Sequence, residues 1–166
     1  MMSTEMKNTQ PVRKTRGQSL LEMAISLVVV LMLLAGVVDF GFAFFSWVAI
    51  RDASQEGAIF GAVAPVGAGG ANPNPAIFTR VRGVSTSPVN LADTTRVRIF
   101  VGPTVNEASP ASSPLGCPGT PVTVLIEYDY ISITPGLSGF IGNDGVITVR
   151  ASTTNTILTT TRTGCP

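Results

Sequence analysis

Apolar and polar residues are distributed unevenly along this chain. Apolar residues are densest between Leu20 and Val63, and the remainder is rich in Thr, Ser, Gly, Pro and Val. Met23 to Val38 carries no charge and makes about 16 residues, or about 24 Å of helix, against a roughly 30 Å hydrocarbon core. Phe40 to Ile50 extends the run with only Asp39 interrupting it, so the segment is long enough to span. No proline occurs between Val12 and Pro65. One helix from about Ser19 to Val63 is therefore expected, about 67 Å long and twice a bilayer, with its distal part projecting outside the lipid.

The pattern changes after Val63. Pro65 to Pro75, with Gly67, Gly69, Gly70, Asn72, Pro73 and Asn74, reads as a linker or turn that ends the helix. Ala76 to Gly83 is expected to form a short helix. Val97, Ile99 and Val101 mark one face of a strand over Arg96 to Val101. Val122 to Ile133 alternates Val122, Val124, Ile126, Tyr128 and Tyr130 against Thr123, Leu125, Glu127 and Asp129, and the second, half-polar face is expected to meet solvent. Val146 to about Thr161 supplies a third strand, and Gly102 to Pro121, rich in proline, an irregular loop. Consecutive strands with short connections favour an antiparallel meander whose apolar face needs a cover, and the projecting helix is the nearest candidate. The expected fold is α+β, a long N-terminal transmembrane helix followed by a small antiparallel β-meander domain. The divisions are a basic leader (1–17), the transmembrane and projecting helix (18–63), a Gly/Pro linker (64–75) and an extracytoplasmic β-rich domain (76–166).

Charge sets the orientation. Lys7, Arg13, Lys14 and Arg16 precede the apolar run and Arg51 is the next basic residue, which argues for a cytoplasmic N terminus and a single pass. A carboxylate, Glu22, stands at the mouth of the apolar run, where an ionisable group calls for a partner. A cut after Gly17 would make Glu22 the fifth residue of the mature chain, within reach of the new amino terminus of a neighbouring copy. Two other readings stand beside it, an uncleaved signal anchor and a signal peptide cut near Gly41-Phe42-Ala43.

Further along, Phe40, Phe42, Phe44, Phe45 and Trp47 read as an interfacial aromatic belt or a packing surface for other subunits. Asp39 lies about 25 Å beyond Glu22 along the axis and about 100° around it, so the two do not share a face. It is either an aspartate reaching water at the outer interface or a residue of subunit packing. Ala53, Gly57 and Gly61, at intervals of four, form a small-residue stripe that permits close approach. Cys117 and Cys165 are the two cysteines. On the oxidising side a disulfide between them is expected over two free thiols, closing a loop of about 49 residues and contributing roughly 4 kcal/mol.

The run Arg16-Gly17-Gln18-Ser19-Leu20-Leu21-Glu22-Met23-Ala24, followed by Val38-Asp39-Phe40-Gly41 and by Ala53-Ser54-Gln55-Glu56-Gly57-Ala58, resembles the TadE-like family of pilus assembly pseudopilins. The resemblance covers about a quarter of the chain. It implies a minor pilin or pseudopilin of the tight-adherence (Flp-type) secretion and adhesion apparatus, inserted in the bacterial inner membrane and processed by a prepilin peptidase of the aspartic type. Its implied partners are the membrane, other pilins or pseudopilins, the tight-adherence assembly proteins and that peptidase. Carried over residue by residue, Gly17 ends the leader, Gln18 is the mature N terminus and Glu22 the family's carboxylate, which would pair with the Gln18 amine of a neighbour and set the register of assembly. Gln55 and Ile59 stand where the family has basic residues, which puts an ion-pair role of that helix end in doubt.

Other classes find little support in the residues. There is no histidine, no Gly-x-Ser-x-Gly and no phosphate-binding loop, so no catalytic residue, cofactor or metal is expected. Glu127 and Asp129, about 7 Å apart on one strand face, could hold a cation, but a solvated face explains them. Scattered basic residues and a net charge of +1 give no nucleic-acid footprint. A single-pass protein whose β domain binds a partner without polymerising, and a membrane-anchored hydrolase, remain as alternatives.

Overall fold

The computed structural model describes residues 16–106, 111–134 and 145–158. Helix α1 spans Arg16–Val63, followed by a single 3₁₀ turn at Ala68–Gly70, helix α2 at Pro75–Arg82, and strands β1 (Val97–Gly102), β2 (Pro121–Ile131) and β3 (Val146–Thr156). The three strands form one antiparallel sheet in the order β1-β2-β3. This is the α+β meander expected from the pattern, with the element ends moved by one to a few residues. The chain divides into two compact units after Ala35.

In the first unit, α1 is apolar and bare. Leu20, Leu21, Met23, Ile25, Leu27 and Leu33 are all more than half exposed. By length and composition α1 is able to cross a membrane.

In the second unit, the rest of α1 is the spine of the core. Asp39, Ser46, Ile50, Ala53, Ser54, Gly57, Ala58, Gly61 and Ala62 are buried, a helical recurrence that marks one continuous face. Against it lie Val122, Val124, Ile126, Tyr128 and Tyr130 of β2, Val97, Ile99 and Val101 of β1, and Ile77 and Val81 of α2. Each fully buried aliphatic side chain here contributes about 1.5–3 kcal/mol. Ser54 and Thr153 share a 2.7 Å hydroxyl–hydroxyl bond that ties the helix to β3.

The Gly/Pro stretch is a pinned turn. Asn74 caps α2 by accepting from the Ala76 N–H (3.0 Å), and its amide donates to Ala64 O at 3.0 Å. Asn72 exchanges two bonds with the backbone of Leu115 (2.8 and 2.7 Å). Gly69 and Gly70 have φ of 71° and 82°, a left-handed conformation that costs glycine nothing.

The second face of β2 departs from expectation. Thr123, Leu125 and Glu127 are buried, because β2 is the central strand and side chains of both neighbours close over it. Thr123 bonds Thr154 at 2.8 Å, and the register sets Arg98 and Arg150 on either side of Glu127. Arg98 reaches Glu127 and Asp129, each at 3.1 Å, and Arg150 Nε lies 2.7 Å from Glu127 Oε1, close but outside hydrogen-bond alignment. Hydrogen bonding to Glu127 is the first of the causes that raise the Arg98 guanidinium above its ordinary value. The two carboxylates are thus ion-paired, and no cluster of metal-ligating residues occurs among the described residues.

Candidate functional site

The first two turns of α1 carry Gly17, Gln18 and Glu22. The Gln18 amide donates to Glu22 Oε1 at 3.3 Å, one helical turn away, and the pair is exposed. A methyl group built on Gly17 would meet nothing within 4 Å. Packing within this fold therefore gives no reason for glycine at position 17, and glycine costs about 1 kcal/mol against alanine inside a helix.

Asp39 is placed differently. It is 5% exposed, so it does not reach water. Its carboxylate accepts from Tyr130 Oη at 3.0 Å, Ser132 Oγ at 2.9 Å, and the backbone N–H groups of Ile133 and Thr134 at 2.9 and 3.0 Å. Both oxygens are filled by this chain's own strand end. The bonding also bears on why β2 stops short of Ile133, the end its alternation suggested: the Ser132 amide still bonds Gly145 O at 3.1 Å, but the amides of Ile133 and Thr134 turn to the aspartate. Burial, and after it the hydrogen bond to Asp39 and that residue's charge, push the Tyr130 phenol up to about 12. Beside this contact lies an apolar cavity of about 190 Å³ lined by Gly36, Phe40, Ala43, Tyr130, Ser132 and Ile147.

The small-residue stripe faces the same way. Ala53 is fully buried. A methyl on Gly57 would lie 2.5 Å from Val81 Cγ2, and one on Gly61 3.0 Å from Val122 Cγ2. The close approach at these positions is to α2 and β2 of the same chain. A methyl on Gly36 or Gly41 would meet nothing within 4 Å among the described residues.

At the Glu56-Gly57-Ala58 motif, Glu56 does enter an ion pair. Its partner is Arg80 of α2, at 2.6 Å, and not a basic residue of its own helix. Half-exposed pairs of this kind contribute about 0–1 kcal/mol. The pair borders an open groove between α1 and α2 of about 690 Å³, flanked by Asp52, Phe60 and Val84. Near the aromatic cluster, the Arg51 guanidinium sits 5.4 Å from the Trp47 ring centre, and Phe40, Phe42, Phe44 and Phe45 are exposed.

Cys117 is disulfide-bonded. Cys165 lies outside the described residues, as does the leader before Arg16.

Sequence reasoning singled out Asp39 but missed Tyr130, Ser132, Ile133 and Thr134 as its partners. The one signal was general, that an acid in an apolar helix requires a partner; nothing local points 91 residues downstream.

In comparison with protein-family models, residues 17–58 match the TadE-like protein family. The match starts at Gly17, takes in Glu22 and Asp39, and ends with Glu56-Gly57-Ala58. No curated protein and no solved structure matches the chain.

Proposed function

From a chain whose residues 17–58 are TadE-like, we propose a minor pilin or pseudopilin of the tight-adherence type, held in the bacterial inner membrane by one pass and contributing to pilus assembly without catalysis. The observation that carries this reading is that the family match begins at Gly17, a glycine whose added methyl would meet nothing among the described residues, and continues into a bare apolar helix headed by Glu22. A glycine with no packing role at the end of a basic leader suits recognition by a processing enzyme, here a prepilin peptidase cutting between Gly17 and Gln18. The new Gln18 ammonium of one subunit would then meet the Glu22 carboxylate of another, and each would neutralise the other in lipid. Glu22 is exposed and bonds only weakly within its own helix, which leaves it available. The basic residues before the span favour a cytoplasmic leader and an extracytoplasmic β domain. Pairing of Cys117 with Cys165 belongs to the same reading, since disulfides persist on that side.

Intact-mass measurement on protein from its native membrane tests the proposal. The mature chain is expected to begin at Gln18 and to keep its apolar helix. An intact leader in cells that contain the peptidase leaves a permanent signal anchor, and a new terminus near Phe44 a removed signal peptide.

A further inference from the structure

We propose that the β domain carries a second membrane contact, a collar at the Asp39 level in which Ile131 and Ile133 enter the lipid interface beside Phe40 and Phe42, with Arg96 facing the phosphodiester of a phospholipid headgroup. The inference rests on the single-pass anchoring proposed above and extends it from the helix to the sheet.

Depth is the first argument. Asp39 is the next charged residue after Glu22, about 25 Å further along the axis, so with Glu22 at the inner edge of a roughly 30 Å hydrocarbon core Asp39 stands near the outer edge. The Ile133 amide is 2.9 Å from the Asp39 carboxylate, and the neighbouring amide of Thr134 is 3.0 Å away. Those bonds hold the end of β2 beside Asp39, at its level on α1.

Chemistry is the second. Ile133 is 65% exposed and Ile131 44%, at the end of a strand whose other large apolar residues are almost all buried. Phe40 and Phe42, on the adjoining turn of α1, are 73% and 45% exposed. Ile131, Ile133, Phe42 and Pro88 line one depression of about 360 Å³ together with Arg96 and Ser87. Apolar side chains with one cation and the hydroxyl-bearing Ser46, Ser87, Tyr128 and Tyr130 match the boundary between acyl chains and phosphate, where aromatic and basic anchors concentrate. An apolar surface contiguous with a membrane-spanning helix and fixed at its exit has the bilayer itself as the nearest occupant.

The test uses the full chain reconstituted in vesicles of phosphatidylcholine and phosphatidylglycerol, with Trp47→Phe removing the only tryptophan. Tryptophan is then introduced as Ile133→Trp or, at the far end of α1 where the Leu158 amide bonds Ala62 O, as Leu158→Trp. Lipids brominated near the interface are expected to quench Ile133→Trp several-fold more than Leu158→Trp, and Arg96→Glu is expected to weaken that quenching. Resistance to alkaline carbonate extraction reports the anchor independently. If the chain resists extraction yet Ile133→Trp is quenched no more than Leu158→Trp, the collar is overturned and the anchor stands. Release by carbonate overturns both. Quenching that Arg96→Glu leaves unchanged overturns the headgroup contact.

Discussion

A methyl group placed on Gly17, Gly36 or Gly41 would meet no atom within 4 Å, whereas one placed on Gly57 or Gly61 would press into Val81 or Val122 at 2.5 or 3.0 Å. These glycines belong to one helix and are explained by different surroundings. Toward its C-terminal end α1 is the inner wall of a small domain, and Gly57 and Gly61 are required by that domain's own sheet and second helix. Before Ala35, the large apolar side chains are exposed. A residue's fit to its own fold thus separates the part of the helix that folds the protein from the part that faces something else. Asp39 marks the change, with its side chain bonded to the end of β2.

The strongest way to break this comparison is at Glu22. Glu22→Gln is expected to leave insertion and domain stability unchanged, because Glu22 is exposed and bonded only to Gln18. Assembly with other pilins is expected to weaken by roughly 3–5 kcal/mol, the usual cost of stranding one partner of a desolvated charge pair. Co-purification with the major pilin and recovery of surface pili measure it. Normal pili from a processed, inserted variant would make Glu22 a tolerated interfacial acid.

At the boundary itself, Asp39→Ala is expected to destabilise the domain by about 3 kcal/mol, since the hydroxyls of Tyr130 and Ser132 and the amides of Ile133 and Thr134 lose their acceptor. Unfolding in detergent reads this directly. Asp39→Asn keeps an acceptor and is expected to fall between the two; a neutral Asp39→Ala would mean that solvent or lipid replaces the bonds at no cost.

Smaller changes sharpen the contrast along the helix. Gly57→Ala is expected to cost about 1–3 kcal/mol through overpacking against Val81. Gly36→Ala is expected to be neutral or up to about 1 kcal/mol stabilising, from helix propensity alone. Equal losses at both positions would erase the distinction drawn from packing.

The smallest effect concerns pH. The Tyr130 phenol is raised in the folded state to about 12 from an ordinary value of 10.0. The folded chain therefore favours the neutral phenol, and the stability it contributes is fully present below about pH 10 and lost as pH rises toward about 12. Alkaline unfolding midpoints should fall more steeply over this window for the native chain than for Tyr130→Phe. Parallel curves would show that the phenol ionises as readily folded as unfolded.

Strand positions, the short α2 and the order of the meander were legible because period-two alternation and glycine–proline punctuation are local signals. The burial of Leu125 and Glu127 was not, because half-polar alternation looks the same on an edge strand facing water and on a central strand whose neighbours supply arginines. The pinned turn at Asn72 read only as a linker for a similar reason: its hydrogen-bond partner, Leu115, lies 43 residues downstream.

By itself, the sequence determined an apolar helix long enough to cross a bilayer, a basic segment before it, the Gly17–Glu22 spacing and the strands that follow. These depend on neighbours within a few residues, which any chain of this composition would keep. Only the tertiary structure decided that Asp39 is bound by the end of β2, that Gly57 and Gly61 serve the chain's own core, and that Glu56 pairs with Arg80. Each joins residues 20 or more positions apart, and loop closure makes such pairings a property of the whole packed domain.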